Sequence, residues 1–126
     1  LLCNHVLEHV YDDQLAMQEL FRVTRPGGIA ILQVPISGRL KDTLEHNSVL
    51  SDKEQETVYG QQDHVRLYVE ADYVRRLTRA GFAVSIWDPY VIDPSNAFKL
   101  EIDPLETLFI CQRPRDENSF DHNSTL

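Results

Sequence analysis

A chain of 126 residues has room for one domain or for part of a larger one. With 42% apolar and 25% charged residues it is composed like an ordinary globular chain, not like a disordered or fibrous one. Twelve basic residues against 20 acidic ones leave a net charge of −8, a field that repels phosphate backbones and anionic lipid, so neither nucleic acid nor a membrane surface is expected as a partner.

The chain opens Leu1-Leu2-Cys3-Asn4, a short apolar run consistent with the end of a buried strand or, by length alone, a helical turn. It does not begin with methionine and has no basic leader or small-residue cleavage site, so a fragment of a longer chain is expected. No stretch reaches the roughly 18 uninterrupted apolar residues of a membrane span. Two cysteines, Cys3 and Cys111, are too few for a disulfide scaffold and point to a reducing, cytoplasmic setting.

Asp12 and Asp13 supply an N-cap and an acidic first turn. Ala16, Leu20 and Val23, with Met17, Phe21 and Thr24 beside them, form one broad apolar face, and Pro26-Gly27-Gly28 stops the pattern. The spacing predicts a helix over Asp13–Arg25. Ile29 to Val34 follows without polar alternation and predicts a parallel strand covered on both faces, ended by Pro35. Residues 36–66 read as a long polar loop of the kind that binds ligands or forms lids. Within it Ser51-Asp52-Lys53-Glu54 has capping-box spacing, which predicts a short helix near 52–58 closed by Gly60.

Glu70 to Ala80 predicts an amphipathic helix with Val74 and Leu77 inward and Arg75, Arg76 and Arg79 outward, capped by Gly81. Phe82–Trp87 and Thr107–Cys111 predict two strands, with Asp88-Pro89 and Asp93-Pro94 as punctuation between them. The carboxylates of 101–106 read as a solvated loop. Residues 114–126 read as a polar, disordered tail. Asn123-Ser124-Thr125 has glycosylation spacing, read as chance. The order β-α-β-α-β-β ends in two strands with no helix between them.

The run His5-Val6-Leu7-Glu8-His9-Val10, Asp12-Asp13, Glu19-Leu20-Phe21-Arg22-Val23 and Pro26-Gly27-Gly28 resembles class I S-adenosylmethionine-dependent methyltransferases of the type 11 group. Thr24 and Arg25 stand where that family usually has leucine and lysine. Ala80-Gly81-Phe82 matches its turn into the final strand pair, and Gly60-Gln61-Gln62-Asp63-His64-Val65-Arg66 is similar to a segment of one bacterial subset. The resemblance covers residues 1–113. It implies an α/β fold, the C-terminal part of a Rossmann-like methyltransferase sheet: its last four strands, two main helices and an antiparallel final pair. The family's glycine-rich cofactor loop and ribose-binding acidic residue have no counterpart here. The resemblance therefore implies that the N-terminal half of the same domain is a missing partner, and that the fragment alone is inactive. It also places Cys3 on the fourth strand and Cys111 on the seventh, with the fifth between them, about 9–10 Å apart and too far for a disulfide. Both then read as small buried hydrophobes.

The activity so implied is methyl transfer from S-adenosylmethionine to an unidentified small-molecule acceptor. Ligands of open parallel sheets bind beyond the strand carboxyl ends, here Asn4–Val6 and Val34–Ile36. The resemblance places Asn4, His5 and Val6 against the methionine end of the cofactor. Methyl transfer needs alignment and exclusion of water, and a base only where the acceptor keeps its proton. Histidine suits that task, which makes His5 and His64 the candidate bases. Asp63 could orient His64 and Arg66 could hold an acceptor carboxylate; the plainer alternative is that these residues anchor the loop. Trp87, Tyr90 and Phe98 are candidates for an acceptor pocket or for packing.

Two other functions compete. The chain could be a non-catalytic remnant or interaction module of the same fold, its first strand leaving an edge that needs cover. More remotely, His5-x-x-Glu8-His9 is H-x-x-E-H, a zinc-hydrolase pattern. Against it stand the absence of a marked third ligand and its place before the Asp12/Asp13 cap, so no metal is expected. On that view Leu7 and Val10 pack inward while Glu8 and His9 lie near the surface.

Overall fold

The computed structural model describes residues 1–46, 48–103 and 106–116. The chain runs through β1 (Leu2–Asn4), a single 3₁₀ turn (Leu7–His9), α1 (Asp13–Val23) and β2 (Ile29–Gln33). It continues through β3 (Leu44–Glu45), α2 (Asp52–Tyr59), β4 (Arg66–Leu67), α3 (Glu70–Ala80) and β5 (Ala83–Trp87). Two short helices, α4 (Pro89–Ile92) and α5 (Pro94–Lys99), precede the last strand, β6 (Leu108–Gln112), where the sequence predicts no helix. Asp88-Pro89 and Asp93-Pro94 start helices as N-cap and first-turn proline instead of only ending the strand. The main sheet has the order β1-β2-β6-β5. β1 and β2 are parallel, with Cys3 opposite Leu32, and β6 is antiparallel to both β2 and β5. This is the expected set of four strands with an antiparallel final pair. β3 and β4 form a separate antiparallel ladder, Leu44 to Leu67 and Glu45 to Arg66, within the segment expected to be loop.

Local chemistry explains the helix ends. Asp12 accepts the Leu15 N–H at 2.9 Å. α1 stops at Val23, two residues before the predicted end: Thr24 is extended and its hydroxyl donates to the Leu20 carbonyl at 2.8 Å. Arg25 precedes a proline, which disfavours helical backbone there. In α2 the Ser51/Glu54 capping box forms on both sides, and Gly60 closes the helix at φ 80°. α3 spans its predicted residues and ends at Gly81, whose φ of 117° suits glycine. A Cβ on Gly81 would also lie 2.8 Å from the Phe21 ring, so this glycine lets α1 close on the turn after α3.

The core joins Met17 of α1, Tyr73 and Leu77 of α3, Ala30 and Leu32 of β2, and Phe109 and Cys111 of β6. Strand residues alternate between faces, so Leu2 and Ile29 point to the opposite side, where they are 67% and 52% exposed. The predicted cover on both faces of β2 is therefore present on one face here. β2 separates Cys3 of β1 from Cys111 of β6, and both thiols are free. Cys111 is buried, which pushes its thiol up to about 12, whereas Cys3 is only partly buried, packed against the edge of the core. Of the predicted tail only 114–116 are described; the remainder, with Asn123-Ser124-Thr125, lies outside the described residues.

Arg76 corrects the expectation of an outward arginine. It donates from Nη1 to Asp13 at 2.9 Å, from Nη2 to Glu45 at 2.6 Å and from Nε to Asp72 at 2.9 Å. Tyr68 donates its hydroxyl to the same Asp13 oxygen at 2.6 Å. The Arg76 hydrogen bond is the main reason that the Glu45 carboxyl lies below the usual range. Burial pushes Asp72 up, but its bonds to Thr43, Arg76 and Arg75 outweigh that and leave it low. Carboxyls held low in the folded state stabilise the fold above their unfolded pKa, about 4, and that stability is lost as pH falls through the folded values. Chemical denaturation followed from pH 7 down should show stability falling below about pH 4–5. In Glu45→Gln that fall should be shallower.

Candidate functional site

β2 and β6 pair as far as Ile31 and Ile110. Beyond that rung the backbone groups find side-chain partners instead. Tyr73 donates its hydroxyl to the Leu32 carbonyl at 2.9 Å, and the Gln33 side-chain amide donates to the Thr107 carbonyl. Where the strands part, at the carboxyl end of β2, an open cleft of ≈ 390 Å³ is lined by His5, Gln33, Pro35, Ile36, Asp103 and Glu106 among others. Ligands of parallel sheets bind at such strand ends. Asp103 and Glu106, expected in a merely solvated loop, form part of its wall. They give it two carboxylates suited to a cationic ligand.

His5 is held at the cleft by its backbone. Its N–H donates to the Gln33 carbonyl at 2.8 Å, and it adopts φ 53°, in the left-handed region that a non-glycine residue occupies at a cost. Asn4 beside it is exposed and stands opposite Gln33 in the parallel ladder. Val6 faces elsewhere: it lines an apolar groove with Leu7, Val10, Ala16 and Leu20 and does not line the cleft.

Behind His5 sits a group that joins two distant segments. Glu8 is 1% exposed, which corrects its expected place near the surface. Its oxygens accept no hydrogen bond from the described residues. The nearest imidazole nitrogens are His5 Nδ1 at 3.5 Å and His9 Nε2 at 3.7 Å from Glu8 Oε1. His9 Nδ1 lies 2.9 Å from the Asp63 carbonyl and 3.4 Å from its carboxylate. The His64 ring stands edge-on to His9, with centroids 4.6 Å apart. Burial is the main cause, and the His9 charge the second, that holds the His64 imidazole below its ordinary pKa. Asp63 thus contacts His9, and it is His9 that packs on His64. Of the two candidate bases, His5 and His64, only His5 lines the cleft.

Arg66 corrects the expectation of a ligand-binding arginine. It is 3% exposed. Its guanidinium donates to the carbonyls of Leu7 (2.8 Å), Val10 and Tyr11 (2.7 Å) and to the Glu45 carboxylate (3.0 Å). It ties β4 to the turn that carries Glu8 and His9, and presents no free face to an acceptor. The Val65 N–H adds a bond to the Glu8 carbonyl at 2.9 Å. The aromatic candidates lie away from the cleft. Phe98 is 78% exposed, Trp87 lines an apolar groove with Ile92 and Leu100, and Tyr90 donates its hydroxyl to the Ile102 carbonyl at 2.6 Å. The H-x-x-E-H run lies on a strand end and one 3₁₀ turn, so His5 and His9 do not share an α-helical face.

The family model for a methyltransferase domain matches residues 1–85. No curated protein matches the chain. Among solved structures, a Bacillus halodurans protein assigned as a methyltransferase is 14% identical with a TM-score of 0.52, covering 90% of this chain and 68% of that one. A chain from the Haloferax volcanii complex of the Trm112 methyltransferase activator with its assigned methyltransferase is 14% identical, with a TM-score of 0.53 and coverages of 90% and 53%. Haemonchus contortus phosphoethanolamine N-methyltransferase 2, solved with phosphomonomethylethanolamine and S-adenosylhomocysteine, is 12% identical, with a TM-score of 0.51 and coverages of 90% and 33%. At these identities the likeness is one of fold, and the chain spans about half of the Haloferax chain and a third of the Haemonchus one.

Proposed function

This chain belongs to the methyltransferase domain family, and from that premise we propose that it serves in S-adenosylmethionine-dependent methyl transfer to a small-molecule acceptor. Its contribution is the half of the domain that shapes the reacting end of the cleft. The observation that carries this reading is the cleft beyond the parallel β1–β2 pair, with Asp103 and Glu106 on its wall and His5 lining it. Carboxylates there attract a positively charged ligand such as a sulfonium.

The residues present fit one end of that donor. Asn4, His5 and Gln33 would face its methionine portion. When bound, the donor supplies a methyl group on a cationic sulfur that is already a good leaving group. His5 Nδ1 faces the Glu8 carboxylate, which leaves Nε2 to accept a proton from the acceptor. His5, not His64, is assigned this role because His5 borders the cleft. The nucleoside end is not provided for: none of the five glycines forms a Gly-x-Gly turn. We assign that end to the N-terminal half of the same domain, packed on the face that bears Leu2 and Ile29.

The second reading is a non-catalytic module of the same fold, favoured by that same exposed face and by the outer edge of β1. Calorimetric titration with S-adenosylmethionine separates the two. The 126 residues alone should bind weakly and self-associate, and joining the preceding coding sequence should give a monodisperse protein with clear heat of binding. Tight binding by a monomer of the 126 residues would overturn the half-site assignment. No binding by the extended chain would overturn the enzyme.

A further inference from the structure

We propose that Glu8, His9 and His64 form a binding site for a divalent transition metal of the zinc class, one that fastens the segment around His64 to the turn after β1. One ligand atom from each of the three residues can be chosen so that all lie within 4.8 Å of one another. Two ligands about 2.1 Å from a shared tetrahedral ion stand about 3.4 Å apart. The 3.7 Å between His9 Nε2 and Glu8 Oε1 is close to that, and the widest separation in the set, up to 4.8 Å, must shorten by more than about 1 Å as side chains close on the ion. An imidazole pair with a carboxylate is a donor set that zinc accepts, with a fourth position left for water or His5.

Two independent observations point to a cation here. The first is Glu8, whose carboxylate is almost wholly buried with neither oxygen accepting a hydrogen bond from the described residues. A carboxylate in that state is costly unless a positive charge meets it. The second is the tautomer of His9. The Asp63 carbonyl can only accept, so the bond at 2.9 Å places a proton on Nδ1. Nε2 then turns toward Glu8 at a distance too long for a hydrogen bond. A backbone carbonyl behind a histidine, leaving the other nitrogen for the ion, is how metal-binding imidazoles are oriented. Protonation of Nε2 would instead make an ion pair with Glu8, and the experiment below distinguishes the two. The site departs from the H-x-x-E-H expectation in its third member, which comes from 55 residues beyond His9, and in lying on turns.

The test uses zinc chloride alone, so its failure would leave the methyl-transfer proposal untouched. Calorimetry on the 126-residue chain should show one zinc per chain. His64→Gln and Glu8→Gln should each weaken binding by more than about 100-fold, beyond the 10–100-fold that loss of a supporting group costs. His46→Gln, in a histidine hydrogen-bonded to Tyr59 instead, should leave binding intact. Thermal melts guard against a variant that folds poorly. In chelator, Glu8→Gln should melt at or above the parent, because it removes a buried carboxylate that no hydrogen bond from the described residues meets; with zinc the order should reverse. Absence of zinc binding, equal binding by the parent and His64→Gln, or a Glu8→Gln melt below the parent by the same margin with and without zinc would each overturn the site.

Discussion

Arg66→Met is expected to remove about 3–5 kcal/mol of folding stability, the cost of breaking a buried charged network by deleting one partner. Methionine keeps most of the aliphatic stem, so packing volume is nearly conserved and the loss isolates the guanidinium. Without it the carbonyls of Val10 and Tyr11 lose the guanidinium, the Leu7 carbonyl keeps only the long 3.3 Å bond from the Val10 N–H, and Glu45 keeps Arg76 alone. Each buried carbonyl left unpaired costs about 1–3 kcal/mol, although the terms do not add simply. Arg66→Lys should recover only part, since one ammonium cannot reach three carbonyls and a carboxylate in the planes that the forked guanidinium serves. Urea denaturation with linear extrapolation measures the difference. A loss below about 1 kcal/mol, the value of an exposed pair, would show that Arg66 is solvated in the folded protein.

That network explains why some of the molecule is legible in sequence and some is not. α3 is legible because a single stretch carries its acidic start, its apolar spacing and its closing glycine. The capping box of α2 is likewise contained in four consecutive residues. β3 and β4 are two residues each and owe their existence to a pairing across 21 positions, Glu45 to Arg66, so no period announces them. Arg76 occupies a position that periodicity assigns to solvent, and only the approach of Asp13 and Glu45 from other segments turns it inward. Tyr73 is missed for a related reason: it is fully buried, but Val74 and Leu77 alone account for the visible helical stripe.

The candidate site divides along the same line. His5 belongs to a motif at a strand end, and strand ends bind ligands, so its place on the cleft follows from local order. The meeting of His9 with His64 does not. It depends on Arg66 and Val65 drawing the 60–66 segment onto the turn, through bonds to Leu7, Glu8, Val10 and Tyr11. A residue expected to recognise an acceptor is the one that assembles the histidine cluster. The pattern His5-x-x-Glu8-His9 signals part of that cluster in sequence, and its missing partner is visible only in three dimensions.

Tyr73→Ala is the second large effect, also expected at about 3–5 kcal/mol, the range for deleting a buried aromatic ring. The ring is fully buried, edge-on to Phe109 with centroids 4.9 Å apart and tilted against Tyr68 at 4.8 Å. Its hydroxyl has a separate task, closing off the Leu32 carbonyl where β2 leaves β6. Tyr73→Phe removes only that bond and should cost about 1–3 kcal/mol, the penalty for a buried acceptor left unpaired. The remainder of the alanine effect then belongs to the ring and the cavity it leaves. Should Tyr73→Phe be neutral, water reaches the Leu32 carbonyl from the cleft, and the strands part more widely than described. Tyr68 links the two sites: it stands against the Tyr73 ring, bonds to Asp13, and lies under the Arg66 guanidinium at 5.7 Å. A double variant, Tyr73→Ala with Arg66→Met, should therefore depart from additivity by about 0.5–3 kcal/mol. Strict additivity would mean that the core under the cleft and the anchor of the histidine cluster fold as independent units.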